Sequence, residues 1–244
     1  MSLRNSSTGT KMRAGAITTV TALALGGLAA HVRPAAAQVR TPGVPVTSDV
    51  AIAKGRFVDV FDDATAAKAR LRLDANQNFS RRLVFLVIDS SGPRLKVQLP
   101  VRPNGATGYV DRGGMTIKTR GYYIKVDLSE HKLTLYKEGV EMFTNPVATG
   151  TSATPTPIGK FYLAELAKVT TKNSDYGPWA FGVAAFSDKI TRFKNRPGQI
   201  GLHGTNHPQD LGKEVSHGCI RIANATITKM ASTVPQGTPI EVVA

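Results

Sequence analysis

The chain has 244 residues, 41% hydrophobic and 20% charged, which is enough for a buried core and excludes an intrinsically disordered composition. Its formal charge of +14 points to a polyanionic partner, whether nucleic acid, a bacterial cell wall or an anionic membrane surface. A single cysteine excludes an intramolecular disulfide framework.

Arg4, Lys11 and Arg13 make a basic start, residues 14–30 carry no charge, and Ala35-Ala36-Ala37 supplies small residues for a peptidase. This is the three-part plan of a secretory signal peptide over residues 1–37. The apolar run is short for a spanning helix, which needs about 20 residues. An uncleaved membrane anchor is the alternative. Either way the expectation is export across the cytoplasmic membrane, to the periplasm or cell wall. Residues 1–37 hold four basic residues and no acidic one, so 27 basic against 17 acidic residues remain, a formal +10. A chain that stays basic outside the cytoplasm argues against nucleic acid and for an anionic cell wall. Exported thiols tend to be paired or oxidised, so an unpaired Cys219 reads as a thiol kept for its reactivity. The bland reading is a small buried hydrophobe.

Residues 38–54 are rich in Pro, Val, Thr and Ala and read as a linker. Residues 55–118 read as a small SH3-like β module. Phe57-Val58-Asp59-Val60-Phe61 alternates with a strand's period of two, residues 83–88 form an apolar run, and Leu95-Lys96-Val97-Gln98-Leu99 alternates again. Turn chemistry at Asp89-Ser90-Ser91-Gly92-Pro93 and Pro103-Asn104-Gly105 separates them. A second β-rich unit runs over 121–244. Its strands are expected at 122–128, 132–136, 140–143, 160–163, 179–186, 199–202 and 239–243, with a long polar loop over 167–178. The one clear helix follows Arg221. Ile227, Met230, Ala231 and Val234 recur at helical spacing, Asn224 is the expected N-cap, and Pro235-Gln236-Gly237 ends it.

The chemistry concentrates at Ser216-His217-Gly218-Cys219-Ile220-Arg221, with His203 sixteen positions before Cys219. A thiol needs a base or cation to bring its pKa down from about 8.5, and histidine can supply either. His203 follows an apolar strand and is expected at its end, facing a cleft. Residues two apart on an extended chain share a side, so His217, Cys219 and Arg221 are expected to line that cleft together. The amides of Gly218 and Cys219 would suit a developing oxyanion, and the Arg221 guanidinium a substrate carboxylate. The chemical rival is zinc held by His203, His207, His217 and Cys219, but no spacing matches a standard zinc pattern. No phosphate-cradling loop is present. The expectation is therefore no metal and no cofactor.

His203-Gly204-Thr205 followed by 216–221 resembles the signature of the L,D-transpeptidase catalytic domain (YkuD) family. Ile124-Lys125-Val126-Asp127, Leu133-Thr134-Leu135-Tyr136, Val147-Ala148-Thr149-Gly150, Thr156-Pro157-Ile158-Gly159-Lys160-Phe161 and Gly237-Thr238-Pro239-Ile240-Glu241-Val242 agree in order. The resemblance covers residues 121–244. It implies a mainly β catalytic domain and a cysteine acyl transfer between peptidoglycan stem peptides. Cys219 would be the nucleophile, His203 the proton donor and acceptor, and the Gly218 and Cys219 amides the oxyanion hole. Gly204, Ser216, His217 and Arg221 would line the donor site, and the loop bearing Tyr176 and Trp179 would cover it. The donor would be a tetrapeptide stem, the acceptor an amine of a second stem, and a carbapenem would acylate Cys219. Two other readings stand beside this one: an L,D-carboxypeptidase, in which water takes the acyl group, and a non-catalytic wall-binding protein. A sortase-type enzyme also pairs histidine with a later cysteine, but the His-Gly before Cys219 does not resemble its pattern.

Overall fold

Alternating apolar residues over short runs, punctuated by Gly, Pro and Asp, dictate strands rather than helices, and strands dominate the fold. The structure is a computed structural model that describes residues 39–77, 80–193 and 197–244; the expected signal peptide lies outside the described residues. In chain order the strands are β1 (Ser48–Ala53), β2 (Phe57–Phe61), β3 (Leu71–Asp74), β4 (Val84–Asp89), β5 (Arg94–Gln98), β6 (Thr107–Asp111), β7 (Met115–Arg120), β8 (Tyr122–Asp127) and β9 (Lys132–Lys137). They continue as β10 (Val140–Pro146), β11 (Thr149–Gly150), β12 (Gly159–Lys168), β13 (Trp179–Phe186), β14 (Gln199–His203), β15 (Glu214–Ser216) and β16 (Ile220–Arg221). The helix α1 (Asn224–Thr233) and the closing strand β17 (Pro239–Val243) complete the chain.

The first seven strands form one antiparallel sheet in the order β3-β2-β6-β5-β4-β1-β7. The linker expected over 38–54 is therefore not a linker throughout. Ser48–Ala53 enters this sheet between β4 and β7, with Val50 and Ala51 fully buried. The apolar run Val50-Ala51-Ile52 has a core to join, and that outweighs the Pro- and Thr-rich stretch before it.

The second sheet has the order β10-β9-β8-β17-β12-β13-β14-β16, with β11 paired to β15 beside it. Its core gathers Ile124, Leu133, Phe181, Leu202, Ile220, Ile222, Ile227 and Met230 among others. The helix α1 is held by that core and not by its own propensity. Ten residues are too few for a stable isolated helix, no acidic residue stands in its first turn, and no side chain caps it. Burying Ile227 and Met230 contributes about 1.5–3 kcal/mol each, more than the ~1 kcal/mol a cap would add. The N-cap position belongs to Ala223. The Asn224 side chain, expected to cap the helix, instead accepts the Thr205 N–H at 2.9 Å.

The two sheets pack into one unit with residues 38–244. Leu86 of β4 packs on Tyr162, Ala164 and Ala184. The polar turn after β5 completes the joint. Asn104 donates to the Phe186 carbonyl and accepts the Phe186 N–H, both at 2.8 Å, and Arg102 donates to the Ser187 carbonyl at 2.7 Å. These bonds satisfy backbone groups at the end of β13 that would otherwise be costly to cover.

Candidate active site

The site grows from one strand pairing. β14 and β16 run parallel with Leu202 opposite Ile220 and His203 opposite Arg221. Leu202 and Ile220 are fully buried in the core. Strand alternation then sends Gly201, His203, Cys219 and Arg221 to the other face. Gly201 makes the meeting possible. Its N–H donates to Cys219 Sγ at 3.3 Å. A Cβ on Gly201 would stand 3.3 Å from His203 Cδ2 and 3.6 Å from Cys219 Sγ, so ring and sulfur converge over a residue with no side chain. Sequence reasoning missed Gly201. The signal was a glycine two residues before the histidine, on the same strand face.

His203 is 4% exposed. Its Nδ1 lies 2.6 Å from the Gly204 carbonyl, which can only accept, so Nδ1 carries the proton and Nε2 is left bare as a base. Burial brings the imidazole pKa down to about 4, with the Gly204 hydrogen bond opposing and the Arg221 charge adding. Burial likewise pushes the Cys219 thiol up, while the Gly201 hydrogen bond and Arg221 draw it down. At neutral pH the pair rests as thiol and neutral imidazole, not as an ion pair.

A stability consequence follows from the imidazole. Unfolded, it titrates near 6.5; folded, at about 4. Between those values the unfolded state binds the extra proton, so stability rises with pH there. His203 contributes about 3 kcal/mol above pH 6.5 that is lost as the pH falls to 4. Urea unfolding at pH 7 and at pH 4 is expected to show a larger fall for the wild type than for His203→Gln, by about that amount. Equal falls would mean that His203 titrates normally in the fold.

The turn before the nucleophile is set by side chains. Ser216 is 1% exposed; its Oγ accepts the Gly218 N–H at 3.0 Å and donates to the Cys219 carbonyl at 2.6 Å. Thr156 Oγ1 donates to the Gly218 carbonyl at 2.9 Å and accepts the Gly150 N–H at 2.9 Å. Gly218 has φ +109°, and a Cβ there would stand 3.1 Å from Ile200 and 3.4 Å from the Pro155 carbonyl. These facts correct two expectations. The Gly218 amide is not open to an oxyanion, because Ser216 already accepts it; of the two expected donors it is the Cys219 N–H for which no protein acceptor stands among the described residues. Ser216 is not placed to touch a substrate either, being buried as a strut under Cys219. The positive φ of Gly218 also breaks the simple alternation, and His217 is exposed.

Tyr176 stands against the His203 ring. Its ring stands 4.6 Å from the His203 ring at 47°. The loop that carries it is seated by glycines: a Cβ on Gly177 would meet Asn224 Oδ1 at 2.1 Å, and one on Gly204 would meet the same oxygen at 2.2 Å. Gly204 thus serves close packing and, through its carbonyl, the orientation of His203. Asp175 pairs with His207 at 3.3 Å. Trp179 is a correction. Ala180 lies opposite His203 in the β13–β14 register, so Trp179 projects to the other face, where it packs on the core cluster with Lys168 5.9 Å over its ring.

Arg221 is fixed by reciprocal backbone bonds with Ala148, at 2.8 and 2.9 Å. Its Nη1 faces Asp210 at 3.7 Å, and its Nε is buried without a partner. Asp210 and Asp175 were missed in the sequence, since both reach the site from loops with no periodic signal. Among the described residues no three His, Cys, Asp or Glu side chains converge in a way that could hold a metal ion.

The site can therefore deliver a sulfur nucleophile to a carbonyl beside a bare imidazole nitrogen, under an aromatic ring and next to a guanidinium. Comparison with known proteins agrees with that chemistry. Residues 121–242 match the L,D-transpeptidase catalytic domain model. The chain is 34% identical over 121 residues to "Putative L,D-transpeptidase YkuD" of Bacillus subtilis, across 50% of this chain and 65% of that relative's length. It is 32% identical over 126 residues to "Putative L,D-transpeptidase YqjB" of the same organism, across 48% of this chain and 69% of that protein. Among solved structures, L,D-transpeptidase 3 from Mycobacterium tuberculosis with a faropenem-derived adduct is similar over 57% of this chain and 73% of that one, at 17% identity and a TM-score of 0.41. The sequence matches, which span half of this chain and contain the whole Cys219–His203 arrangement, show that the chain belongs to the L,D-transpeptidase catalytic domain (YkuD) family.

Proposed function

We propose that the protein is an exported cysteine acyltransferase that cross-links peptidoglycan stem peptides. The observation that carries this is the convergence of Cys219 Sγ and the His203 ring over Gly201. The donor is a tetrapeptide stem whose third residue is a diamino acid such as meso-diaminopimelate. Cys219 Sγ attacks the carbonyl of that residue, and its proton passes to His203 Nε2. The Cys219 N–H stabilises the oxyanion. The C–N bond to the terminal D-alanine breaks, the leaving amine takes the proton from His203, and a thioester remains on Cys219. An amine of a second stem then attacks the thioester and gives its proton to His203. The C–S bond breaks, the sulfur recovers that proton, and a 3→3 cross-link is released. Two features support this order of events. The buried, neutral imidazole can accept a proton at pH 7, and its Nδ1–H bond to Gly204 keeps Nε2 available.

Export through residues 1–37 would set the protein against the cell wall, and the +10 charge of the remainder suits that anionic surface. The same thiol would open the strained carbonyl of a carbapenem and hold it as an adduct. Incubating the purified protein with disaccharide-tetrapeptide and identifying the products by mass spectrometry tests the reading. A dimer that has lost one D-alanine is expected. Tripeptide alone would make the protein a carboxypeptidase, and unchanged substrate would leave only a wall-binding role.

A further inference from the structure

One peptide unit orients the imidazole of His203. The His203 Nδ1–H donates to the Gly204 carbonyl at 2.6 Å. The other polar group of that unit, the Thr205 N–H, donates to Asn224 Oδ1 at 2.9 Å. Among the described residues neither group has a backbone partner. The plane of the Gly204–Thr205 peptide is therefore set by two side chains, one that it orients and one that holds it. Gly204 and Thr205 are both buried. Without Asn224 the Thr205 N–H would be a buried donor left unmet, and turning the peptide is the way to relieve it. That turn would also carry the Gly204 carbonyl away from Nδ1.

Asn224 as a residue is exposed, in the first turn of α1, yet its Oδ1 points inward. A Cβ on Gly177 would stand 2.1 Å from that oxygen and 2.7 Å from Gly204 Cα, and one on Gly204 would stand 2.2 Å from the same oxygen. One atom is thus wedged between the peptide beside His203 and the loop that lays Tyr176 on the His203 ring. The helix makes no use of it, since no side chain caps α1. The consequence reaches the chemistry through the tautomer. A neutral imidazole holds its proton on one nitrogen, and the hydrogen bond made by the ring decides which. With the Gly204 carbonyl gone, Nε2 could take the proton and would no longer be a base.

Resting on the acyl transfer proposed above, we propose that Asn224 is a positioning residue: its Oδ1 holds the Gly204–Thr205 peptide so that the Gly204 carbonyl keeps the His203 proton on Nδ1 and leaves Nε2 bare.

Two variants of the full chain test this, read by D-alanine release from a tetrapeptide stem and by the ¹⁵N spectrum of labelled histidine at pH 7. That spectrum separates a protonated ring nitrogen from a bare one, and the His203 signals are those lost in His203→Gln. The wild type is expected to show Nδ1 protonated. Asn224→Ala removes the acceptor. It is expected to bring in a form protonated on Nε2 and to lower kcat roughly tenfold to a hundredfold with KM nearly unchanged. Asn224→Asp keeps an oxygen in place. It is expected to keep Nδ1 protonated, to hold kcat within about threefold of the wild type, and to move the acid limb of kcat/KM upward from about pH 4, because the added charge favours the imidazolium. A fall in kcat for Asn224→Ala with Nδ1 still fully protonated would reveal a merely structural role and overturn the assignment. So would an alanine variant with the rate and spectrum of the wild type, or an aspartate variant no better than alanine. If the alanine variant does not fold, the aspartate variant decides: a raised limb with Nδ1 protonated supports the assignment, and an unmoved limb overturns it. A wild type that releases no D-alanine would overturn the proposed function, while the spectra would still decide whether Asn224 sets the tautomer.

Discussion

Cys219→Ala is expected to abolish D-alanine release from a tetrapeptide stem, with a fall of about 10⁴-fold or more in kcat, the scale on which a nucleophile deletion acts. Ser216, the nearest hydroxyl in sequence, is buried, and its oxygen is engaged by both the Gly218 N–H and the Cys219 carbonyl. The fold should barely notice the change, because Cys219 is only partly buried and the sheet beneath it is held by Leu202 and Ile220. The measurement is a pair: product formation and a thermal melt. An unchanged rate with an unchanged melt would remove Cys219 from the chemistry.

His203→Gln is expected to cost about 10²–10⁴-fold in kcat/KM, the range for removing a positioned general base. The resting charge state sharpens this prediction. Because burial raises the thiol pKa and brings the imidazole to about 4, the proton must leave sulfur during attack, and His203 is the group placed to receive it. The wild-type kcat/KM should therefore rise through about pH 4 and stay open across neutral pH, since the imidazole is the proton acceptor only once deprotonated. In the glutamine variant that limb should be gone. Iodoacetamide, which reads the free thiolate, should label Cys219 faster as pH climbs well above neutral, with no step near 6.5. A step near 6.5 would mean that the pair titrates as an ion pair, contrary to the lowered imidazole and the raised thiol.

The parts of this site that periodicity governs were legible in the sequence. Trp179–Phe186 is read as a strand with its observed ends, and the apolar stripe Ile227, Met230 and Val234 is buried as helical spacing requires. His203 and Cys219 could be paired because His203 follows the apolar Leu202 and Cys219 precedes the apolar Ile220, and each apolar residue commits its neighbour to the opposite face. What escaped depends on a partner outside the local pattern. The face that Trp179 takes is decided by register with β14, which no single strand encodes. The Gly218 amide is consumed by Ser216, a side-chain-to-backbone bond fixed by turn geometry. The strand β1 hides behind a Pro- and Thr-rich lead-in and is stabilised by pairing with β4 and β7 from far along the chain. Asp210 and Asp175 matter only through Arg221 and His207, which reach them across loops.

The central claim is that Cys219 carries the acyl group between donor and acceptor. Intact-protein mass spectrometry after brief incubation with a tetrapeptide donor tests it most directly. The account predicts an added mass equal to the donor less D-alanine, mapped by digestion to the peptide containing Cys219, released by hydroxylamine and absent in Cys219→Ala. Turnover of the donor with the adduct on another residue, or an adduct that persists in Cys219→Ala, would contradict it.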